Sequence, residues 1–196
     1  MKKRFVPVAL ASAVAASAAS IAVDPSSAKQ TIIGFGGGSV YYQNWIANLS
    51  AADQKDLFDT AFTGLNLSIL RIGNWLQDEN KDLSDDVAII KAGKERLGDH
   101  MKIEMSSWSA PGNLKPSGSV NGSAGSTKSD KSLKKASGDK YGAYAYTDFA
   151  NWWKSSLQKY AAAGLTPDYI SLQNEPDMEA SYEETLFEPT ETNDIA

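Results

Sequence analysis

The sequence predicts an α/β fold in which helices cover a parallel sheet, and three observations lead to this class. Four short apolar segments alternate with three longer segments whose apolar residues recur at helical spacing. The second apolar segment, LNLSILRIG, is nearly continuous, as is typical of a parallel strand covered on both faces. The composition, 42% hydrophobic and 22% charged, is ordinary for a globular protein with a core. Alternation in this order favours a parallel sheet with helical connections.

Four strands are predicted from the apolar segments. They cover residues 31–36, 65–72, 101–107 and 168–173. The glycine stretch from Gly34 to Gly38 after the first segment resembles a dinucleotide-binding loop, but it lacks the immediate helix and the later acidic residue of such loops. We therefore interpret these glycines as a tight exit from the first strand.

Three helices are predicted between the strands. The first begins at Ser50, whose hydroxyl can cap free backbone N–H groups, and the second begins at Ser84 and ends at Gly98. The third begins near Thr147, and Gly164 stops it. Their buried stripes are Leu57, Phe58, Ala61 and Phe62; Val87, Ile90 and Leu97; and Phe149, Trp153, Leu157 and Tyr160.

Two segments are expected to lie outside the core. Residues 1–22 start with basic side chains and continue as a short run rich in alanine and serine, which predicts a secretory signal peptide cleaved after Ala18 or Ala22. A membrane anchor is the alternative, but the run is too short to span a bilayer. Residues 113–140 are rich in glycine, serine and lysine, and we expect a surface excursion that buries no core.

The composition restricts the chemistry. The chain has no cysteine, one histidine (His100) and a formal net charge of −5. These values argue against disulfides, metal clusters of cysteine or histidine, serine–histidine triads and a nucleic-acid partner. We expect no metal and no cofactor, so any catalysis must come from carboxylates.

The candidate site residues follow from the architecture. An open doubly wound sheet and a (β/α)₈ barrel both fit the alternation, and in a barrel the functional residues collect at the C-terminal ends of the strands. The side chains at or just after the predicted strand ends are Trp45, Arg71, Trp108, Asn174 and Glu175.

These residue types suit glycoside hydrolysis. A protonated Glu175 could donate a proton to the scissile oxygen while a second carboxylate attacks or activates water. Asn174 could hold a sugar hydroxyl, and the rings of Trp45 and Trp108 suit the apolar faces of sugars. Each residue has a structural alternative: the tryptophans as packing residues, Arg71 as an ion-pair partner, and Glu175 as a solvated acid.

Four motifs resemble glycoside hydrolase family 30. They are QTIIGFGG, NLSILRIG, SSWSAPGNLK and SLQNEPD, in this order, within residues 23–178. Members of this family are retaining β-glycosidases built on a (β/α)₈ barrel with an attached β-sandwich. The stretches GFGGGSVYYQNWI and LRIGNWLQDEN resemble the xylanase and glucuronoxylanase members most.

The resemblance implies a role for each candidate. Glu175 matches the general acid/base at the end of the fourth strand, and Asn174 matches the amide that contacts the sugar in the −1 subsite. Trp108 matches the tryptophan that lines this subsite, and Trp45 matches an aromatic residue on the glycone side. Arg71 matches the arginine near the nucleophile. The implied substrate is a polysaccharide, with xylan first.

The resemblance also implies what the chain does not supply. The nucleophile of the family is a glutamate at the end of the seventh strand, whereas this sequence ends after the fourth. We therefore expect residues 31–196 to form strands 1 to 4 of a barrel, with its remainder and the β-sandwich absent, and the chain alone to be inactive. Residues 23–30 are expected to form an N-terminal strand, which could belong to a β-domain beside the barrel. Glu179, Glu183, Glu184, Glu188 and Glu191 lie in the tail, and none is assigned as nucleophile.

Alternative functions stay open at this stage. Within the same family, the substrate could be a β-1,6-glucan or a glucosylceramide-like lipid. Outside enzymes, the chain could be a carbohydrate-binding remnant without chemistry. In each case we expect a secreted protein with no membrane contact after signal cleavage.

Overall fold

The computed structural model describes residues 22, 24, 26–27 and 29–187, and the chain divides into two units, Met1–Ile33 and Gly34–Ala196. In the first unit, Ser26 and Ser27 form a turn in which the Asp24 carboxylate accepts hydrogen bonds from the Ser26 N–H and hydroxyl. The strand predicted over residues 23–30 stays a prediction, since residues 23, 25 and 28 lie outside the described part of the chain. Except for Ala22, the predicted signal peptide lies outside the described residues.

The second unit is built on one parallel sheet of four strands in chain order. The strands are β1 (Phe35–Gly38), β2 (Leu67–Gly73), β3 (Lys102–Ser106) and β4 (Tyr169–Ser171). Consecutive strands are neighbours throughout, as in a barrel, whereas a doubly wound sheet reverses its strand order. The predicted set of barrel strands 1 to 4 is confirmed. Among the described residues, no strand lies beside the outer edge of β1 or β4.

The helices lie between the strands. They are α1 (Gln43–Ala47), α2 (Ala51–Phe58), α3 (Ser84–Leu97), α4 (Lys128–Lys131) and α5 (Tyr146–Ala162). Helix α2 continues as a π-helix over Asp59–Gly64, and single 3₁₀ turns occur at Gly98–His100, Gly112–Leu114 and Gly122–Ala124. The predicted start at Ser50 is confirmed, because its hydroxyl accepts the Asp53 N–H at 3.2 Å. Gly98 and Gly164 follow α3 and α5 with φ of 55° and 83°, as predicted for helix ends. Helix α1 was not predicted.

The prediction for the first strand was wrong in its position. Residues 31–34 are not in a strand, and the glycines predicted as the exit form most of β1 itself. Gly36 pairs with Ile69, and a Cβ atom at Gly36 would overlap the Ile69 backbone carbonyl. Glycine is therefore required here for close approach of two strands, not for a turn. The observed ends of the other three strands differ from the predicted ends by at most two residues.

The core lies between the sheet and the helices. Ile72, Ile103 and Met105 of the strands are fully buried. The predicted stripes supply Phe62, Ile90, Phe149, Trp153 and Tyr160, which are buried as expected. Leu57, also assigned to a stripe, is exposed.

The segment 113–140 does contribute to the core, contrary to the prediction. Leu114 and Leu133 are buried members of the core cluster, and the side chain of Lys115 is buried as well. This segment belongs to the connection after β3 (residues 107–145, the β3 loop), which packs against residues 172–187 after β4 (the β4 loop). Isolated bridges join Asn121 to Glu183 and Ser132 to Leu186.

No helix in the described part of the chain is long and apolar enough to cross a membrane.

Candidate active site

Arg71 lies at the centre of the C-terminal end of the sheet. Its position on β2 is in register with Glu104 on β3, and its Nε lies 2.9 Å from Glu104 Oε2. A terminal guanidinium nitrogen donates to Ser106 Oγ at 2.8 Å and to Asn174 Oδ1 at 3.0 Å. The guanidinium carbon lies 4.7 Å from the centre of a Trp108 ring. Arg71, on β2, thus contacts groups of β3 and of the segments that follow β3 and β4.

Glu104 holds the guanidinium in this position. Burial raises the pKa of the Glu104 carboxyl, and the charge and hydrogen bond of Arg71 oppose that rise. Arg71 therefore forms an ion pair with Glu104, which is the structural role that the sequence analysis left open for it. A terminal nitrogen of the same guanidinium contacts Asn174. Glu104 was missed in the sequence because it precedes the strand end, although its place on β3 opposite Arg71 follows once the register is known.

Asn174 and Glu175 are fixed to the β3 loop through the backbone. The Asn174 N–H donates to the Ser107 carbonyl at 2.7 Å, and the Gln173 side chain donates to the Trp108 carbonyl at 2.7 Å. Glu175 has φ of 46°, a left-handed conformation that is unusual for a residue with a side chain. Its carboxylate oxygen Oε2 accepts hydrogen bonds from Asn174 Nδ2 at 3.0 Å and from the Tyr182 hydroxyl at 3.3 Å. A continuous chain of polar contacts therefore runs from Glu104 through Arg71 and Asn174 to Glu175.

An aromatic cluster borders these polar groups. The rings of Trp75 and Trp108 stack at 5.6 Å with an interplanar angle of 24°. Tyr41 packs on both, with centroids 5.1 Å from Trp75 and 5.7 Å from Trp108. Trp108 is only 7% exposed, so most of its surface packs as a core residue would. Tyr41 and Trp75 were missed, although each follows a strand end by two or three residues and the strand-end rule could have found them.

Trp45 is not brought to this cluster. It lies on α1, is 72% exposed, and its ring contacts Tyr42 edge to face at 5.7 Å. Of the five candidates, the structure therefore joins Arg71, Trp108, Asn174 and Glu175 through direct contacts and leaves Trp45 apart.

An acidic cavity of about 330 Å³ lies next to the cluster. Its lining includes Tyr41, Gln43, Trp75, Asp86 and Glu183. The Tyr41 hydroxyl donates to Glu183 Oε2 at 3.3 Å. Burial raises the pKa of Tyr41, and the charge of the Glu183 carboxylate raises it further. Burial also raises the pKa of Asp86 to about 6. Within the described residues, no group of three His, Cys, Asp or Glu side chains is arranged to hold a metal ion.

The parallel strands pair in chain order, and a carboxylate, an amide, an arginine and aromatic rings lie at their C-terminal ends. This arrangement is that of part of a (β/α)₈ barrel. Comparison with solved structures agrees. The catalytic domain of a family 30 xylanase C from Talaromyces cellulolyticus superposes with a TM-score of 0.65 at 23% identity, covering 88% of this chain and 45% of that one. A family 30 subfamily 8 xylanase from Clostridium acetobutylicum gives 0.62 at 26% identity, with 84% and 38% covered.

Curated proteins give the same relationship. Glucuronoxylanase XynC of Bacillus subtilis is 33% identical over 177 residues, which are 86% of this chain and 35% of XynC. An endo-1,6-β-D-glucanase of Aspergillus fumigatus is 29% identical over 184 residues, covering 80% of this chain and 38% of that protein. The chain is therefore a homologue of glycoside hydrolase family 30 xylanases, as its motifs predicted, and matches the N-terminal portion of these proteins. It spans little more than a third of the length of these curated relatives. No family model matches it.

Proposed function

We propose that this sequence supplies the acid/base half of a retaining β-glycosidase site and that xylan is the substrate. The observation that carries the proposal is the placement of Glu175 just beyond the end of β4, hydrogen-bonded to Asn174 and connected through it to Arg71. The 33% identity to a glucuronoxylanase supports the choice of xylan. The predicted signal peptide in residues 1–22 supports secretion.

In the proposed reaction, Glu175 acts twice. As a carboxylic acid it protonates the departing glycosidic oxygen, while a second carboxylate attacks the anomeric carbon and forms a covalent glycosyl intermediate. As a carboxylate it then removes a proton from the water that hydrolyses this intermediate. Asn174 donates to the Glu175 carboxylate through Nδ2 and so holds this side chain in place for both steps.

Arg71 contributes orientation and positive charge. Its bond to Asn174 Oδ1 fixes which end of the amide faces Glu175, because the oxygen accepts from the guanidinium and the nitrogen is left to donate. In the pattern of the family, the attacking glutamate belongs to a seventh strand near this arginine. The guanidinium would stabilise that carboxylate in its ionised, nucleophilic form.

A second candidate substrate is a β-1,6-glucan. The 29% identity to the Aspergillus endo-1,6-β-D-glucanase supports it, but this similarity is weaker than that to the glucuronoxylanase. A carbohydrate-binding role without chemistry would need the aromatic cluster but not Glu175.

A chimera tests the proposed reaction. The segment of Bacillus subtilis XynC that aligns with this chain would be replaced by this sequence, so that XynC supplies the remaining barrel strands. We expect the chimera to release reducing sugar from xylan, and not from a β-1,6-glucan. Glu175→Gln should lower this rate by roughly 10²–10⁴-fold, the usual contribution of a general acid.

Leaving-group dependence provides the control. An aryl xyloside with dinitrophenol as leaving group needs no proton, so Glu175→Gln should form the glycosyl intermediate from it at nearly the normal rate. Asp177→Asn removes an exposed carboxylate two residues from Glu175 and should leave the rates on both substrates unchanged. A Glu175→Gln chimera that hydrolyses xylan as fast as its parent would refute the proposal. Hydrolysis of the β-1,6-glucan instead would favour the second substrate.

A further inference from the structure

The two hydrogen bonds to the Glu175 carboxylate are made to the same oxygen. Asn174 Nδ2 lies 3.0 Å from Oε2, and the Tyr182 hydroxyl lies 3.3 Å from the same atom. The Asn174 contact belongs to the site already described. The Tyr182 contact comes from the β4 loop, seven residues further along the chain, and no role has yet been assigned to it.

The backbone of Tyr182 is fixed by the β3 loop. Its carbonyl accepts the Gly122 N–H at 2.8 Å, and the Glu184 N–H donates to the Val120 carbonyl at 3.1 Å. Gly122 is buried, and a Cβ atom there would overlap the Ala180 carbonyl and the Glu184 carboxylate. The two loops therefore hold the Tyr182 backbone at a defined place, from which its exposed side chain reaches the Glu175 carboxylate.

The neighbouring residue turns to a different partner. Glu183 accepts from the Tyr41 hydroxyl at 3.3 Å, on the side of the acidic cavity. The β4 loop thus carries two adjacent side chains that each form a tyrosine–glutamate pair. In both pairs the tyrosine donates: Tyr182 is the donor of the first pair, and Glu183 is the acceptor of the second. Only the first pair includes the catalytic candidate.

We propose that Tyr182 is a positioning residue that, together with Asn174, fixes Oε2 of Glu175 as the hydrogen-bond acceptor and leaves Oε1 to carry the transferable proton. The inference rests on the proposed function of Glu175 as the acid/base. An oxygen that accepts two hydrogen bonds does not also bear the acidic hydrogen in the same plane, because the hydroxyl oxygen of a carboxylic acid is the poorer acceptor.

This arrangement assists both half-reactions. Before the transfer, the two donors hold the carboxyl in one rotamer, so that Oε1 faces the glycosidic oxygen. After the transfer, they stabilise the negative charge that remains. The separation of 3.3 Å is longer than the usual 2.7–2.8 Å of a hydroxyl–oxygen bond, as is common for catalytic contacts in unliganded sites.

The first test is a titration of the 196-residue chain with ¹³Cζ-labelled tyrosine, followed by NMR. Burial raises the pKa of Tyr182, and the charge and hydrogen bond of Glu175 raise it further. In Glu175→Gln we therefore expect Tyr182 to titrate at lower pH. Glu183→Gln is the matched control: it should shift Tyr41 in the same direction and leave Tyr182 unchanged. A Tyr182 titration that is the same in Glu175→Gln and in the parent chain would overturn the proposal.

The second test uses Tyr182→Phe in the XynC chimera. The phenyl ring is retained, so only the hydroxyl is lost. We expect kcat on xylan to fall about tenfold, within the contribution of a general acid, with KM unchanged. Formation of the glycosyl intermediate from the dinitrophenyl xyloside, which needs no proton, should be little affected. Equal losses on both substrates would show a structural role only and would contradict the proposal. The NMR test needs no activity, so an inactive chimera with a coupled Tyr182–Glu175 pair would refute the proposed function and leave the positioning contact established.

Discussion

At the scale of single residues, the backbone of Glu175 is an unusual feature of the site. Its φ of 46° lies in the left-handed region, where an ordinary side chain costs about 1–2 kcal/mol. Hydrogen bonds on both sides hold this conformation: Asn174 N–H to the Ser107 carbonyl at 2.7 Å, and Met178 N–H to the Glu175 carbonyl at 3.1 Å. The conformation directs the carboxylate of Glu175 toward Asn174 and Tyr182 instead of continuing the line of β4.

The strain at this position predicts a stability difference between two substitutions. Asparagine tolerates the left-handed region better than glutamine, and both remove the charge of Glu175. We therefore expect Glu175→Asn to have a free energy of unfolding about 1 kcal/mol higher than Glu175→Gln, measured by urea denaturation of the chain. The pair Asp177→Asn and Asp177→Gln, at an exposed position without positive φ, should differ less. Equal stability of the two variants at position 175 would mean that the surrounding hydrogen bonds, and not the side chain, determine the backbone energy.

The strand-end rule predicted the residues that directly follow buried strands. Asn174, Glu175 and Trp108 fit that description, and the structure brings them to Arg71. Trp45 was placed by the same rule but lies on α1, a helix without an apolar stripe in the sequence. Tyr182 could not be predicted, because its contact with Glu175 depends on the path of a loop, and loop paths are set by tertiary contacts that no local pattern encodes.

At the scale of elements, the β3 loop and the β4 loop form one packed layer. The buried ammonium group of Lys115 joins them: it donates to the Glu184 carbonyl and to the Val120 carbonyl at 3.3 Å. Thr185 adds a second connection, since its hydroxyl accepts the Ala110 N–H at 2.8 Å. Composition gave the wrong prediction for residues 113–140 because two leucines, Leu114 and Leu133, supply their buried apolar side chains. These leucines are 19 residues apart (133 − 114) in a polar segment.

Lys115 makes the stability of this layer depend on pH. Burial lowers its pKa in the folded protein from the ordinary 10.5 to about 8. Below pH 8 both folded and unfolded chains carry the proton, so the full cost of burying the charge is present. Between pH 8 and 10.5 the unfolded chain binds more protons, so the folded state gains stability as the pH rises.

Comparison with Lys115→Met isolates this effect. The stability of the parent chain relative to the variant should increase by on the order of 3 kcal/mol from pH 8 to 10.5, as 1.36 kcal/mol per pKa unit implies. Urea denaturation at a series of pH values measures it, with Lys128→Met, an exposed lysine of the same loop, as the control for removing a lysine. Parallel curves for the parent chain and Lys115→Met would contradict the assigned burial.

At the scale of the whole molecule, the spacing of apolar residues along the sequence was enough to predict the α/β fold class. Four strands with helices between them can follow only a few parallel topologies, because crossover connections are right-handed and short. The sequence could not place β1, because a glycine-rich segment carries no side-chain pattern and its pairing is decided by close contact with Ile69. It also could not decide between an open sheet and a barrel without the family motifs, since both share the same local units.

The sheet leaves two strands without a neighbour among the described residues, and these edges predict self-association. Phe35 of β1 is 68% exposed, and Ile170 of β4 is 48% exposed. Unpaired backbone groups flanked by apolar side chains favour pairing with another chain, and a lysine at such an edge opposes it. We expect the isolated chain to form larger species with rising concentration in sedimentation velocity, and Ile170→Lys to reduce them. Leu57→Lys, at an exposed apolar position on α2 away from the edges, should not. If Leu57→Lys lowers the association as much as Ile170→Lys does, the association depends on the hydrophobicity of the whole surface and not on the strand edges. A chain that is monomeric at every concentration would show that these edges are already protected.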